Sequence, residues 1–198
     1  VLKQELDKLA KEVEPKSPNG ILRLPIDRVF TMKGFGTVIT GTLLSGTISQ
    51  DQEVDILPKG TTTKVRGIQS HNQAAQRAVA GQRTAVNLQG IDKDQISRGD
   101  TIVTKGFFTT TRNVDASLSM LKQATRGIKT GTRIRFYNNT QESIGRAALV
   151  GTNELNPGDD GYVQFRLEQP VLIQHGDRFI SRFYSPMETL GGGMILDP

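Results

Sequence analysis

Short segments with alternating apolar residues, separated by Gly, Asn and Asp, run through most of this chain of 198 residues. A period of two is typical of β-strands that bury one face, because successive side chains of a strand point to opposite sides. The strands predicted in the first half cover residues 21–30, 37–44, 54–56, 65–68 and 85–88. Short strands at regular spacing favour an all-β barrel or sandwich over alternating strands and helices.

A second series of alternating segments follows the connection at residues 104–111. Its predicted strands cover residues 114–121, 132–137, 143–150, 162–168 and 178–184. We therefore expect two β-barrels in tandem, over residues 20–105 and 106–198. Residues 73–80 are ambiguous, and we interpret them as strand or loop because eight residues form only a marginal helix.

The first residues follow a different, helical period. Apolar residues recur three or four positions apart, at Leu2, Leu6, Leu9 and Val13. This spacing predicts a short amphipathic helix over residues 1–14, ended by Pro15, with residues 15–20 as a linker. The chain starts with Val1 rather than Met, so we expect an excised piece of a longer protein.

Composition excludes several classes of site. The chain has no Cys and only two His, His71 and His175, both predicted in surface loops. No Gly is followed directly by Lys, so the phosphate loop G-x-x-x-x-G-K-[ST] is absent from the sequence. We expect no catalytic residue, no metal site and no cofactor in this chain. The glycines at 191–193 favour a strand bend or close backbone packing over phosphate binding.

The charge distribution indicates a possible polyanion partner. The net charge is +5, and residues 20–105 hold eleven basic against seven acidic side chains. A local positive field favours RNA, although a solvated basic surface fits equally well. No apolar run approaches the ~20 residues of a membrane span, and the first residues lack the charged-then-apolar layout of a signal peptide. Because the chain also has no Cys, we expect a cytoplasmic protein without membrane contact.

The segment at residues 24–46 is predicted to form a β-hairpin around the turn at Lys33–Gly36. Alternation along its first strand predicts that Arg28 and Phe30 share one face. It predicts that Asp27 and Val29 take the other.

Several motifs carry a family resemblance. They are PIDRVF at 25–30, GFGTVITG at 34–41, AGQR at 80–83, ISRGD at 96–100 and LGGGMILDP at 190–198. This pattern resembles the second and third domains of translation GTPases of the elongation factor Tu type, and most of all the selenocysteine-specific elongation factor. The resemblance implies two β-barrels of the translation-factor type. Residues 1–19 then correspond to the last helix of a missing GTPase domain and its linker.

The resemblance also implies a function. This chain would be the tRNA-binding part of a factor that delivers selenocysteyl-tRNA to the ribosome in a GTP-dependent way. GTP and Mg²⁺ would bind the missing GTPase domain of the parent protein. The hairpin in the messenger RNA that directs selenocysteine insertion would bind missing C-terminal domains.

The family's tRNA contacts can be transferred position by position. The aminoacyl pocket would comprise Asp27, Arg28, Phe30, Thr40 and Arg83. Gln69 would face the terminal adenosine. The tRNA backbone would meet arginines of the second barrel at Arg133, Arg135 and Arg146.

Two of these positions depart from the general factor, which has an acid where Arg28 stands and an amide where Arg83 stands. Selenols are stronger acids than thiols, whose pKa is ~8.5, so selenocysteine is anionic at neutral pH and serine is not. Two guanidinium groups would therefore favour selenocysteine. Alternatively, Arg28 and Arg83 are ordinary exposed strand arginines. The alternative functions are the β-barrel domains of another translation GTPase, which would need neutral or acidic residues at positions 28 and 83, or of a sulfate-activating GTPase subunit.

Overall fold

The computed structural model describes residues 2–12, 19–70 and 73–198. It begins with the helix α1 (Leu2–Glu12), in which Leu2, Leu6 and Leu9 are all more than half exposed. The predicted amphipathic helix is confirmed as far as residue 12, whereas its predicted end at Pro15 lies outside the described residues. No helix in the described ranges is long and apolar enough to cross a membrane.

The first half forms one closed barrel. Its strands are β1 (Arg23–Met32), β2 (Gly36–Thr42), β3 (Thr47–Ser49), β4 (Glu53–Leu57), β5 (Thr61–Ser70), β6 (Gln73–Ala75), β7 (Arg77–Val79), β8 (Arg83–Leu88) and β9 (Thr101–Thr104). Six of them follow the order β4-β9-β1-β2-β8-β5, and antiparallel pairing of β4 with β5 closes the ring. Strand β6 extends the sheet beyond β5, while β3 and β7 pair with each other.

The second half forms another closed barrel. Its strands are β10 (Thr111–Met120), β11 (Ile128–Lys129), β12 (Arg133–Asn138), β13 (Gln141–Val150), β14 (Glu154–Leu155), β15 (Asp160–Val171), β16 (Arg178–Phe183) and β17 (Thr189–Asp197). The ring order is β10-β15-β13-β12-β16-β17, and β17 pairs back with β10. The expected all-β fold with two tandem barrels after a short helix is confirmed.

Each barrel encloses its own hydrophobic core. The first core is largely aliphatic and includes Ile39, Ile56 and Ile102, all fully buried. The second is centred on aromatic rings, with the ring centroids of Phe136 and Phe165 5.4 Å apart. Since inward positions alternate with outward ones along each strand, every second residue is left on the outer surface for binding.

A buried ion pair joins the two barrels. Arg23 of β1 donates two hydrogen bonds to Asp177, which precedes β16, at 3.0 and 2.6 Å. The same guanidinium donates to the Gln174 side chain at 2.8 Å. The Arg23 side chain is only 7% exposed, and paired N–H donors fix both distance and orientation. This contact therefore ties β1 of the first barrel to the segment that precedes β16 of the second.

The glycine run is part of strand β17. A Cβ atom on Gly193 would overlap the backbone carbonyl oxygen of Ser117, and one on Gly191 would overlap that of Ser119. Both clashes involve β10, the partner strand of β17. This confirms the expected close backbone packing at residues 191–193.

Candidate functional site

One outer face of the first barrel gathers the predicted pocket residues. The strand register pairs Arg28 of β1 with Thr40 of β2, and Thr40 with Ala85 of β8. Ala85 pairs in turn with Gln69 of β5. Directly paired residues share a face of the sheet, and Ile39, the neighbour of Thr40, points into the core. These four residues therefore form a row across the outside of the barrel.

Asp27 reaches the same face through a β-bulge. Ile26 pairs with Gly41 and Arg28 with Thr40, so the register shifts at Asp27 and leaves it without a partner residue on β2. Its carboxylate contacts the outward side chain of Thr40. The sequence predicted that Asp27 and Arg28 point to different faces of the sheet, and this prediction is wrong. Side chains alternate strictly between the two faces only where strand pairing is uninterrupted, and the bulge interrupts it.

The carboxylate of Asp27 connects two of the predicted residues. Its Oδ1 accepts a hydrogen bond from the Thr40 hydroxyl at 2.6 Å, and its Oδ2 accepts one from Nη1 of Arg83. Arg83 pairs with Thr42, two residues beyond Thr40. The bulge and the register of β2 with β8 thus bring together Asp27, Thr40 and Arg83.

The pKa of Asp27 reflects these contacts. Burial works to raise it, but the hydrogen bonds from Thr40 and Arg83 and the charges of Arg83 and Arg28 outweigh burial and lower it. Asp27 is therefore ionised at neutral pH. The site combines one carboxylate with two guanidinium groups, for a net charge of +1.

Arg28 supplies the uncompensated charge. Its side chain is exposed, and within the described part of the chain no carboxylate lies within ion-pairing distance of it. Phe30, also on the outer face, is half-buried opposite Val38. Arg28 is therefore available to an anion, while Asp27 already neutralises Arg83 in part.

A groove of about 410 Å³ continues this face along β8. Its floor contains Ala85 and Asn87 of β8, and its walls include Phe35, Arg66 and Gln69. Gln69 therefore lies where the groove approaches the Asp27 site. Sequence reasoning singled out Gln69 but missed Asn87. The Asn87 side chain donates a hydrogen bond to the carbonyl oxygen of Phe35 in the hairpin turn, and alternation along a strand does not predict a contact between residues 52 positions apart.

The predicted arginines of the second barrel lie on one outer face. The register aligns Arg133 of β12 with Arg146 of β13, and Arg146 with Arg166 of β15. Arg133 donates to Glu168 at 2.9 Å and stacks over the Tyr184 ring at 4.0 Å. The cross-strand row of Arg133, Arg146 and Arg166 is called the arginine row below.

The members of the arginine row differ in their partners. Arg146 donates to the backbone carbonyl of Gly131 at 2.9 Å, and Arg166 donates to Gln164. Neither is paired with a carboxylate among the described residues, whereas Arg135, on the same face, forms an ion pair with Glu142. Sequence reasoning missed Arg166. Arg166 and Glu168 are two residues apart on β15, so their side chains share one face of the strand.

The two histidines do not build a site. Nδ1 of His175 lies 2.8 Å from the carbonyl oxygen of Leu196, and the side chain is exposed, as predicted for a surface loop. His71 lies outside the described residues. Across residues 2–12, 19–70 and 73–198, no cluster of three or more His, Asp or Glu could hold a metal ion.

Two family models match consecutive parts of the chain. The model for elongation factor Tu domain 2 matches residues 36–103, which include β2 to β8 and all but the last residue of β9. The β-barrel domain model of the selenocysteine-specific elongation factor matches residues 114–198. The two matches therefore divide between the two barrels.

Known proteins agree with these matches. A selenocysteine-specific elongation factor of Desulfomicrobium baculatum is 36% identical over 197 residues, which is all of this chain but 31% of that protein. Crystal structures show the same fold. The match to bacterial EF-Sec covers 98% of this chain and 31% of the EF-Sec chain, with a TM-score of 0.84 and 25% sequence identity. The match to SelB of Methanococcus maripaludis covers 99% of this chain and 47% of the SelB chain, with a TM-score of 0.81 and 25% sequence identity.

The chain thus spans about a third of the length of its curated relative. Both barrels are matched within one protein family, in sequence and in fold. The chain belongs to the selenocysteine-specific elongation factors of the elongation factor Tu superfamily, and it covers their second and third domains.

Proposed function

We propose that this chain is the tRNA-binding part of a factor that delivers selenocysteyl-tRNA to the ribosome in a GTP-dependent way. The observation that carries the proposal is the cluster of Asp27, Thr40 and Arg83 beside the unpaired Arg28. It provides a positive pocket on the outer face of the first barrel. This chain's own work is recognition, since it contains no phosphate loop.

The pocket distinguishes selenocysteine from serine by charge. A selenolate placed beside Arg28 and Arg83 accepts charge-assisted hydrogen bonds, which are about twice as strong as neutral ones. A seryl hydroxyl carries no charge and gains less. Asp27 lowers the repulsion between the two arginines in the free protein and holds Arg83 in one orientation, so the pocket needs little rearrangement on binding.

The groove beside the pocket fits the terminal adenosine. Arg83, Ala85 and Asn87 are alternate residues of β8, so the side chains at the two ends are ~13 Å apart at ~3.3 Å per residue. An aminoacyl group at Arg83 therefore leaves the adenine above Ala85 and Asn87. Gln69, paired with Ala85, stands between them and faces the ribose or the base.

The test is a comparison of two tRNAs on the same tRNA body. With GTP present, we expect the full-length protein to bind selenocysteyl-tRNA roughly a hundredfold more tightly than seryl-tRNA, because only the first carries an anionic side chain. Equilibrium binding in a protection assay against ester hydrolysis measures both affinities. Equal affinity for the two would contradict the proposal.

The second barrel contributes contacts to the tRNA backbone in this proposal. Like charges directly opposite each other on neighbouring strands destabilise a sheet, so the arginine row is better explained by a polyanionic partner than by folding. Arg133, Arg135 and Arg146 remain the proposed contacts, and Arg166 joins them. Phosphate contacts of this kind position the tRNA without reading its sequence.

Salt dependence tests the arginine row. Exchanging Arg146 and Arg166 for Gln is expected to reduce the slope of log affinity against log salt concentration by roughly 1.5 in magnitude, since each phosphate contact contributes ~0.7–0.9 to that slope. The matched change of Arg133 and Arg135 to Gln should flatten it less, because Glu168 and Glu142 already pair with them. An unchanged slope in both variants would remove the backbone contacts from the proposal.

The remaining partners belong to other parts of the full-length protein in this proposal. GTP and Mg²⁺ bind a nucleotide-binding domain, which closes over the aminoacyl end from the side opposite the first barrel. The hairpin of the messenger RNA binds further C-terminal domains. The protein acts on the ribosome in the cytoplasm.

A further inference from the structure

The groove floor contains a polar atom that the fold itself does not satisfy. Oδ1 of Asn87 is buried and has no hydrogen-bond partner among the described residues. We propose that Asn87 is a base-reading residue, whose Oδ1 accepts a hydrogen bond from the exocyclic amino group of the terminal adenine. This inference rests on the proposed function and assigns Asn87 as a specificity-determining residue of the groove.

The orientation of the Asn87 amide is fixed by the protein. Its Nδ2 donates to the backbone carbonyl of Phe35 at 2.8 Å. An amide turned the other way would set two acceptor oxygens against each other, so the contact distinguishes Oδ1 from Nδ2. The oxygen is therefore held away from the hairpin turn.

A buried acceptor of this kind favours a ligand with a matching donor. Leaving it unpaired costs free energy, and a partner on the ligand recovers that cost on binding. Adenine offers its N6 amino group as a donor on the edge of the ring. The oxygen is inaccessible to solvent in the free protein, so the base gains access through side-chain movements, which are common on binding.

Gln69 is a second amide that lines the groove, and it pairs with Ala85 beside the predicted position of the base. Its side chain is exposed, so water can satisfy it whether or not the ligand is bound. Asn87 has no such alternative. Removing the amino group from the ligand should therefore lower the binding affinity mainly through the lost hydrogen bond to Asn87, and much less through Gln69.

The experiment changes the ligand before it changes the protein. Selenocysteyl-tRNAs ending in adenosine, in purine riboside (which lacks the amino group) and in inosine (which has an acceptor in its place) are bound to the full-length protein with GTP. We expect purine riboside to weaken binding about tenfold and inosine to weaken it further, because two acceptors then face each other. Equal affinity for the three ends would overturn the inference while leaving the proposed function intact.

Two variants assign the effect to one side chain. Asn87→Leu is expected to bind the three ends with nearly equal affinity, whereas Gln69→Leu weakens all three and keeps their ratios. Undiminished discrimination by Asn87→Leu, or its loss in Gln69→Leu, would overturn the assignment to Asn87. If the wild-type protein binds none of the three, the proposed function fails and this inference fails with it.

Discussion

Replacing Arg28 with Asp and Arg83 with Asn in the full-length protein is expected to erase most of its preference for selenocysteyl-tRNA over seryl-tRNA. A charge-assisted hydrogen bond contributes about 1.5–3 kcal/mol. Because Arg28 and Arg83 are exposed in the free protein, we take the lower end of that range for each. Losing both contacts then lowers the preference roughly hundredfold, since about 1.4 kcal/mol is a factor of ten.

The two changes act by different routes. Arg28→Asp replaces the unpaired cation with a carboxylate that repels a selenolate. Arg83→Asn removes the partner of Asp27, so that Asp27 keeps only its hydrogen bond from Thr40 and its negative charge is exposed to the ligand. Affinity for seryl-tRNA should fall only by the general effect of the lost positive charge, because the seryl hydroxyl is neutral. The ratio of the two dissociation constants, measured with GTP, is the quantity to follow.

A charge-matched variant separates the pocket from the general field. Lys93→Asp with Arg77→Asn makes the same change in net charge at two exposed positions of the first barrel, outside the pocket. It should weaken the binding of both tRNAs equally and leave the ratio of the two dissociation constants unchanged. If it erased the preference as the pocket variant does, selectivity would come from net charge. If the pocket variant kept its preference, selectivity would lie in the tRNA body or another domain.

The hairpin illustrates what the sequence predicts well and where its rule fails. Alternation and the turn glycines correctly predicted β1 and β2, because local side-chain period and turn chemistry decide such elements. The bulge at Asp27 was not predictable from that period. It is stabilised by contacts with Thr40 and with Arg83. Arg83 is 56 residues away, and its contact forms only when β8 pairs with β2.

Elements set by long-range contacts were missed for the same reason. Strands β3, β11 and β14 have three residues or fewer, too few for alternation to be recognised. The ion pair of Arg23 with Asp177 joins residues 154 positions apart. Neither partner stands out in the sequence, since an arginine in a strand is usually exposed.

Strand β17 is an exception, because the run of three glycines stands out in the sequence and by itself indicates close backbone packing. Gly193 pairs with Leu118 on β10 and with Phe179 on β16, so it lies between two strands of the second barrel. Both partners are buried in the aromatic core. A side chain at position 193 would have to push apart strands that close the ring.

Gly193→Ala is therefore expected to destabilise the second barrel by more than about 4 kcal/mol, which is exceptional for a single substitution. The added Cβ would overlap the Ser117 carbonyl oxygen, and backbone cannot move aside as a flexible side chain can. Gly67→Ala in β5 is the matched control, because a Cβ there has no heavy atom within 4 Å and the backbone needs no positive φ. It should be neutral or slightly stabilising, since alanine restricts the unfolded chain more than glycine does. Denaturant unfolding of both variants measures the difference, and a stable Gly193→Ala protein would show that β10 and β17 can separate without loss of the closed barrel.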